Sequence, residues 1–95
     1  MSVVEHKIVA KLSDGKWLAW AKVQLVNTST VTADVEATIT LPNISFIESV
    51  IGVDRLDTNN SGVVAKEVPV RSIYVKAQSV PAGATTYVKV SYVGV

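Results

Sequence analysis

Apolar and polar residues alternate with a period of two along most of this chain, and no stretch repeats its apolar positions at helical spacing. In the opening segment Val4, His6, Ile8, Ala10 and Leu12 share one side, while Val3, Glu5, Lys7, Val9 and Lys11 share the other. Ser13-Asp14-Gly15-Lys16 follows, and Asp-Gly supplies the positive φ angles that a tight hairpin connection needs. The second strand, Trp17 to Val26, is apolar on both sides: Trp17, Ala19, Ala21, Val23 and Leu25 on one, Leu18, Trp20 and Val26 on the other. A strand of that kind belongs at the centre of a sheet or has a second covered face.

Asn27-Thr28-Ser29-Thr30 reads as the next turn. A third strand, Val31 to Leu41, puts Val31, Ala33, Val35, Ala37, Ile39 and Leu41 inward and Thr32, Asp34, Glu36, Thr38 and Thr40 outward. It stops at Pro42, which has no amide hydrogen to give the ladder. Ile44 to Val53 reads as a fourth strand, and Asp54 to Gly62 as a long polar loop. Short strands are expected around Val63 to Val68 and Ser72 to Ala77, then a turn at Ser79-Val80-Pro81-Ala82-Gly83. The last strand, Thr85 to Val95, sets Thr86, Val88, Val90 and Tyr92 on one face and Tyr87, Lys89 and Ser91 on the other. About seven short strands separated by turn signals predict one all-β domain over residues 1–95. The expected form is an antiparallel β-sandwich, Ig-like or jelly-roll-like, with a closed barrel as the alternative. A terminal strand is often an edge, so the first or the last strand is expected to offer a free one.

Composition narrows the function. The chain is 48% hydrophobic but only 6% aromatic, with valine supplying about a fifth of the residues, a bias toward pleated strands. A mean hydropathy of +0.35 is high for a soluble domain this small. Either the core is unusually rich in valine, or an apolar face is covered by another subunit. There is no cysteine, which removes disulfides, thiolate metal sites and thiol nucleophiles together. A net charge of +1 and dispersed lysines give nothing that would draw the domain to nucleic acid or to an anionic membrane. The start, MSVVEHKIVAKL, carries four ionisable residues in its apolar stretch and does not read as a signal peptide, so folding in a cytoplasm is expected.

The candidate chemistry is sparse, and neither catalysis nor a cofactor is expected. His6 is the single histidine, so a catalytic triad would have to be built around it, and on the apolar side of a strand it reads as structural. Asp34, Glu48, Asp54 and Asp57 do not form the facing carboxylate pair of a glycosidase. Asp57 to Gly62 follows the first half of a calcium loop, but Val68 stands where the bidentate glutamate is needed, and an Asx-rich turn explains the same residues. Asn27, Asn43 and Asn59 each open an Asn-x-Ser sequence, read as chance without a secretory signal. Trp17 and Trp20 point to opposite faces, one toward the core and the other toward a partner or, less simply, a sugar ring. The residues proposed to meet a partner are Leu18 and Trp20 on the second strand, and Tyr87, Val93 and Val95 on the last.

Taken together, KIVAKLSDGKWLAWAKVQL, FIESVIGVD and TTYVKVSYVGV resemble the small all-β structural proteins of tailed bacteriophages and prophages. The resemblance is one of pattern across most of the chain, and it carries over no functional residue. It implies a non-enzymatic virion component, a capsid-decorating, head–tail or tail subunit that self-associates and docks on a symmetric lattice. Its partners would be itself and other virion proteins, and its location the virion, with the host cytoplasm during assembly. The competing reading is a carbohydrate-binding or adhesin-like module that uses Trp20 or the polar loop.

Overall fold

In the computed structural model, residues 2–56 and 62–95 are described. Seven strands form two antiparallel sheets: β1 (Ser2–Lys11), β2 (Trp17–Val26), β3 (Ala33–Thr40), β4 (Ile47–Arg55), β5 (Val63–Val68), β6 (Ser72–Val80) and β7 (Thr85–Gly94). A four-stranded sheet runs β1-β2-β7-β4 and a three-stranded sheet runs β3-β6-β5. The result is a sandwich, and the sheets do not close into the alternative barrel. The first strand, β1, is an edge of the four-stranded sheet, with β4 at the other edge, whereas the last strand, β7, lies inside between β2 and β4.

The β1–β2 hairpin turns through a single 3₁₀ turn at Ser13–Gly15, where Asp14 (φ 63°) and Gly15 (φ 73°) both occupy the left-handed region. Asp and Gly tolerate that region, and the Leu12 amide closes the turn on the Lys16 carbonyl at 2.8 Å. From there β2 and β7 pair without a break from Trp17↔Gly94 to Val26↔Thr85. Their shared inner rows, Ala19, Ala21, Val23 and Leu25 with Thr86, Val88, Val90 and Tyr92, are fully or almost fully buried. Against them pack Ile73, Val75, Ala77 and Val80 of β6 and Val35 and Ile39 of β3. Leu41, Ile44 and Ile47 close one end of the core.

Several expected positions shift, each for a local reason. Bulges between Val3 and Glu5 and between Ile8 and Ala10 break the strict alternation of β1. Val3, His6 and Ile8 therefore pair with inward-facing residues of β2, while Glu5, Lys7 and Ala10 pair with outward-facing ones. Val31, expected inside, is 63% exposed because β3 begins only at Ala33. The fourth strand begins at Ile47, not Ile44, because the preceding residues bond to the end of the chain. There the Ser45 amide reaches the Val95 carbonyl at 2.7 Å and the Val95 amide reaches the Phe46 carbonyl at 2.8 Å. Gly94 permits this approach, since a Cβ there would lie 3.0 Å from the Phe46 carbonyl oxygen and 3.2 Å from the Tyr92 ring.

Asn27 pins the turn after β2 to the turn before β7. Its side chain is buried; Nδ2 donates to the carbonyls of Val80 (2.8 Å) and Val31 (2.9 Å), and Oδ1 accepts from the Ser29 amide (2.9 Å). Its main-chain amide donates to the Ala84 carbonyl at 2.9 Å. Asn27→Ala strands buried polar groups and is expected to cost about 2–3 kcal/mol. Urea unfolding should show a lower midpoint at unchanged slope, while Thr28→Ala, at an exposed position, should change stability by less than about 0.5 kcal/mol.

Candidate functional site: the outer face of the four-stranded sheet

The two sheets present different outer faces. On the three-stranded sheet β3 and β6 turn Asp34, Glu36, Thr38 and Thr40 and Ser72, Tyr74 and Lys76 outward. These residues satisfy one another: the Tyr74 hydroxyl donates to Glu36 at 2.5 Å, and Lys76 pairs with Asp34 at 3.6 Å. Such exposed pairs add little to stability, and they leave a wetted surface.

The outer face of the four-stranded sheet carries aromatic and aliphatic residues on its two central strands. Leu18 of β2 stands directly opposite Val93 of β7, Trp20 opposite Ser91, Lys22 opposite Lys89, and Gln24 opposite Tyr87. Directly opposed lysines repel each other in a sheet. Here the two ammonium groups diverge: Lys89 Nζ sits 4.9 Å from the centre of the Trp20 ring, and Lys22 Nζ sits 4.9 Å from that of Tyr87. Each cation–π contact draws a charge onto a ring face and off the sheet's midline. The outer strands complete the row, with Glu5 of β1 paired to Lys22 and Asp54 of β4 paired to Lys89. A charge-balanced row of acid, lysine, lysine and acid thus crosses all four strands between Trp20 and Tyr87.

The unbroken β2–β7 register therefore sets four of the five expected interface residues on one face, all half-buried: Leu18, Trp20 and Val93 on one side of the lysine row and Tyr87 on the other. The fifth, Val95, lies beyond β7 at the end of the sandwich, 45% exposed and paired through its main chain with Phe46, itself 46% exposed. Trp17 points the other way; it is half-buried, with Lys11 Nζ 5.7 Å from its ring centre. Sequence reading missed the lysines as covers for the rings. The available signal was their spacing, since Lys22 follows Trp20 and Lys89 follows Tyr87 by two residues on the same strand face.

His6 lies inward, where Nε2 and the Tyr92 hydroxyl are hydrogen-bonded and the rings are nearly parallel, 2° apart with centres 5.8 Å apart. Burial lowers the pKa of His6 and pushes that of Tyr92 up to about 12. Both groups are then neutral near pH 7, and the bond ties edge strand β1 to β7 across β2. Asn27, the first of the Asn-x-Ser asparagines, has its amide committed inside the fold. Asp57 to Ser61, most of the half calcium loop, and Asn59 lie outside the described residues. Among the described residues, no group of three His, Asp or Glu stands where it could hold a metal ion.

Neither a protein-family model, nor a curated protein, nor a solved structure matches this chain.

The histidine gives a pH prediction. With the folded pKa below the ordinary value of about 6.5, the unfolded chain takes up this proton first as pH falls. The His6 contribution is therefore whole above about pH 7 and declines as pH drops through the unfolded pKa toward the folded one. Unfolding midpoints between pH 7.5 and 5.5 should fall for the native chain, and His6→Gln should flatten that decline.

Proposed function

We propose that this chain is a non-enzymatic structural subunit that assembles with further copies of itself through the outer face of its four-stranded sheet. The observation that carries this reading is that Leu18, Trp20, Tyr87 and Val93 share the outer face of the two central strands, with a lysine ammonium over each of the two rings. Interfaces concentrate their binding energy in a few buried aromatic and aliphatic residues, and Leu18, Trp20 and Val93 form such a group on one side of the lysine row. Repetition by symmetry would then multiply a modest contact into a stable assembly. A virion setting, as a capsid-decorating, head–tail or tail component, is proposed on the resemblance of the opening hairpin, the FIESVIGVD strand and the closing strand alone.

The second reading, a carbohydrate-binding module, draws on the same rings, since Trp20 and Tyr87 share one face with Gln24. An ammonium already stands over each ring, where a sugar would have to stack, so we favour assembly.

Molar mass by light scattering, followed over a range of protein concentrations, separates the two. Assembly predicts a discrete oligomer that Trp20→Glu shifts toward monomer by at least tenfold in concentration, with the fold retained. A monomer at every concentration contradicts it, and glycan binding by that monomer, lost in Trp20→Ala, would establish the second reading.

A further inference from the structure

Of the two edges of the four-stranded sheet, that of β4 has β5 beside it, and the Val50 amide already donates to the Glu67 carboxylate at 3.3 Å. Among the described residues no strand lies against the β1 edge, and along it and its end Val4 is 47%, Ile8 41%, Val9 54% and Leu12 38% exposed. A long apolar edge of this kind is a template for another strand. We propose that β1 pairs antiparallel with β1 of a second copy about a two-fold axis through His6, joining two four-stranded sheets into one continuous sheet.

The charges of β1 choose the register. Between its two bulges Glu5, His6, Lys7 and Ile8 alternate regularly, with Glu5 and Lys7 on the outer face and His6 and Ile8 on the inner. Two copies must meet with like faces together, because a slip of one residue turns every side chain to the wrong side. Centring the axis on Glu5 sets Glu5 against its own copy, and centring it on Lys7 does the same for Lys7, so both place like charges in direct opposition. Centring it on His6 pairs Glu5 with Lys7 of the second copy, twice, by symmetry. Neither side chain is used in an ion pair within the chain among the described residues. The axis stands perpendicular to the sheet, so the outer faces of both copies lie on the same side. Their Trp20 patches then form one double-width surface for the assembly contact, and the inference in this respect rests on that reading.

Charge exchange at these two exposed positions tests the proposal without disturbing the core. Glu5→Lys alone and Lys7→Glu alone should each raise the dimer dissociation constant about tenfold, equivalent to about 1.4 kcal/mol. The double exchange should restore it. An equimolar mixture of the two single variants should associate more tightly than either alone, since every cross-strand pair is then attractive. Molar mass by light scattering reads all four samples, with melting curves confirming the fold. Single variants as associated as the native chain, or a double exchange that does not recover, overturn the edge pairing. If at the same time Trp20→Glu still dissociates the oligomer, the assembly reading survives. If the native chain and the mixture are both monomeric throughout, both proposals fail, and β1 is an edge blunted by its bulges and lysines.

Discussion

The rest of this molecule depends on the β2–β7 ladder, ten residues on each strand paired with no bulge. Because side chains alternate across a strand, that one register fixes two surfaces at once. Inward it aligns Ala19 with Tyr92 and Ala21 with Val90, small against large, so that the second sheet can settle onto a level surface. Outward it aligns Leu18 with Val93 and sets Trp20 and Tyr87 two steps to either side of the opposed lysines. A slip of a single residue would move the buried row to solvent and scatter the outer cluster. Core formation and the outer cluster are therefore not separable features of this sequence.

The other strands are more irregular, and the irregularity follows from their position. β1 and β4 each carry two bulges, with the extra residue on the edge strand, whereas β2 and β7 pair without a shift; in the β3–β6 pair the extra residue falls in β6 between Ala77 and Val80, beyond its pairing with β5. Interior strands are held from both sides, and an extra residue there would break two ladders. An edge strand loses only one. In β1 the two bulges confine regular pairing to a short segment, and the His6–Tyr92 hydrogen bond anchors that segment to the centre of the sheet. The exposed apolar residues of β1 and the aromatic outer face are thus two consequences of one architecture, a firm centre with an open side.

Much of this was legible in the sequence. The period-two rows of β2 and β7 translate directly into buried and outward rows, and the apolar character of both faces of β2 correctly places that strand inside its sheet. Asp14-Gly15 announces its turn because few other pairs accept two consecutive positive φ angles. Less visible were features decided by distant contacts. Nothing local tells Val31 that pairing starts at Ala33, or tells Ile44 that Ser45 and Phe46 will bond to Val95. The bulges of β1 have no residue signature either, so strict alternation misplaces Val3 and Ala10. Position near the end of the chain suggested an edge for the last strand, but sheet order put β7 in the interior because β4 returns to pair with its free side. Of the candidate site, the aromatic and aliphatic members were readable from the alternation alone. Their convergence was not, since it depends on which strand lies beside which.

The account's central claim is that the Trp20 face is covered by another copy of the chain. The most direct measurement is tryptophan emission and acrylamide quenching in a Trp17→Phe variant, where Trp20 reports alone, followed from nanomolar to hundreds of micromolar protein. The account predicts a shift of the emission to shorter wavelength and a fall in quenching as concentration rises, in step with molar mass. Emission and quenching that stay constant while the molar mass increases would show that the chain assembles through some other surface, and would contradict it.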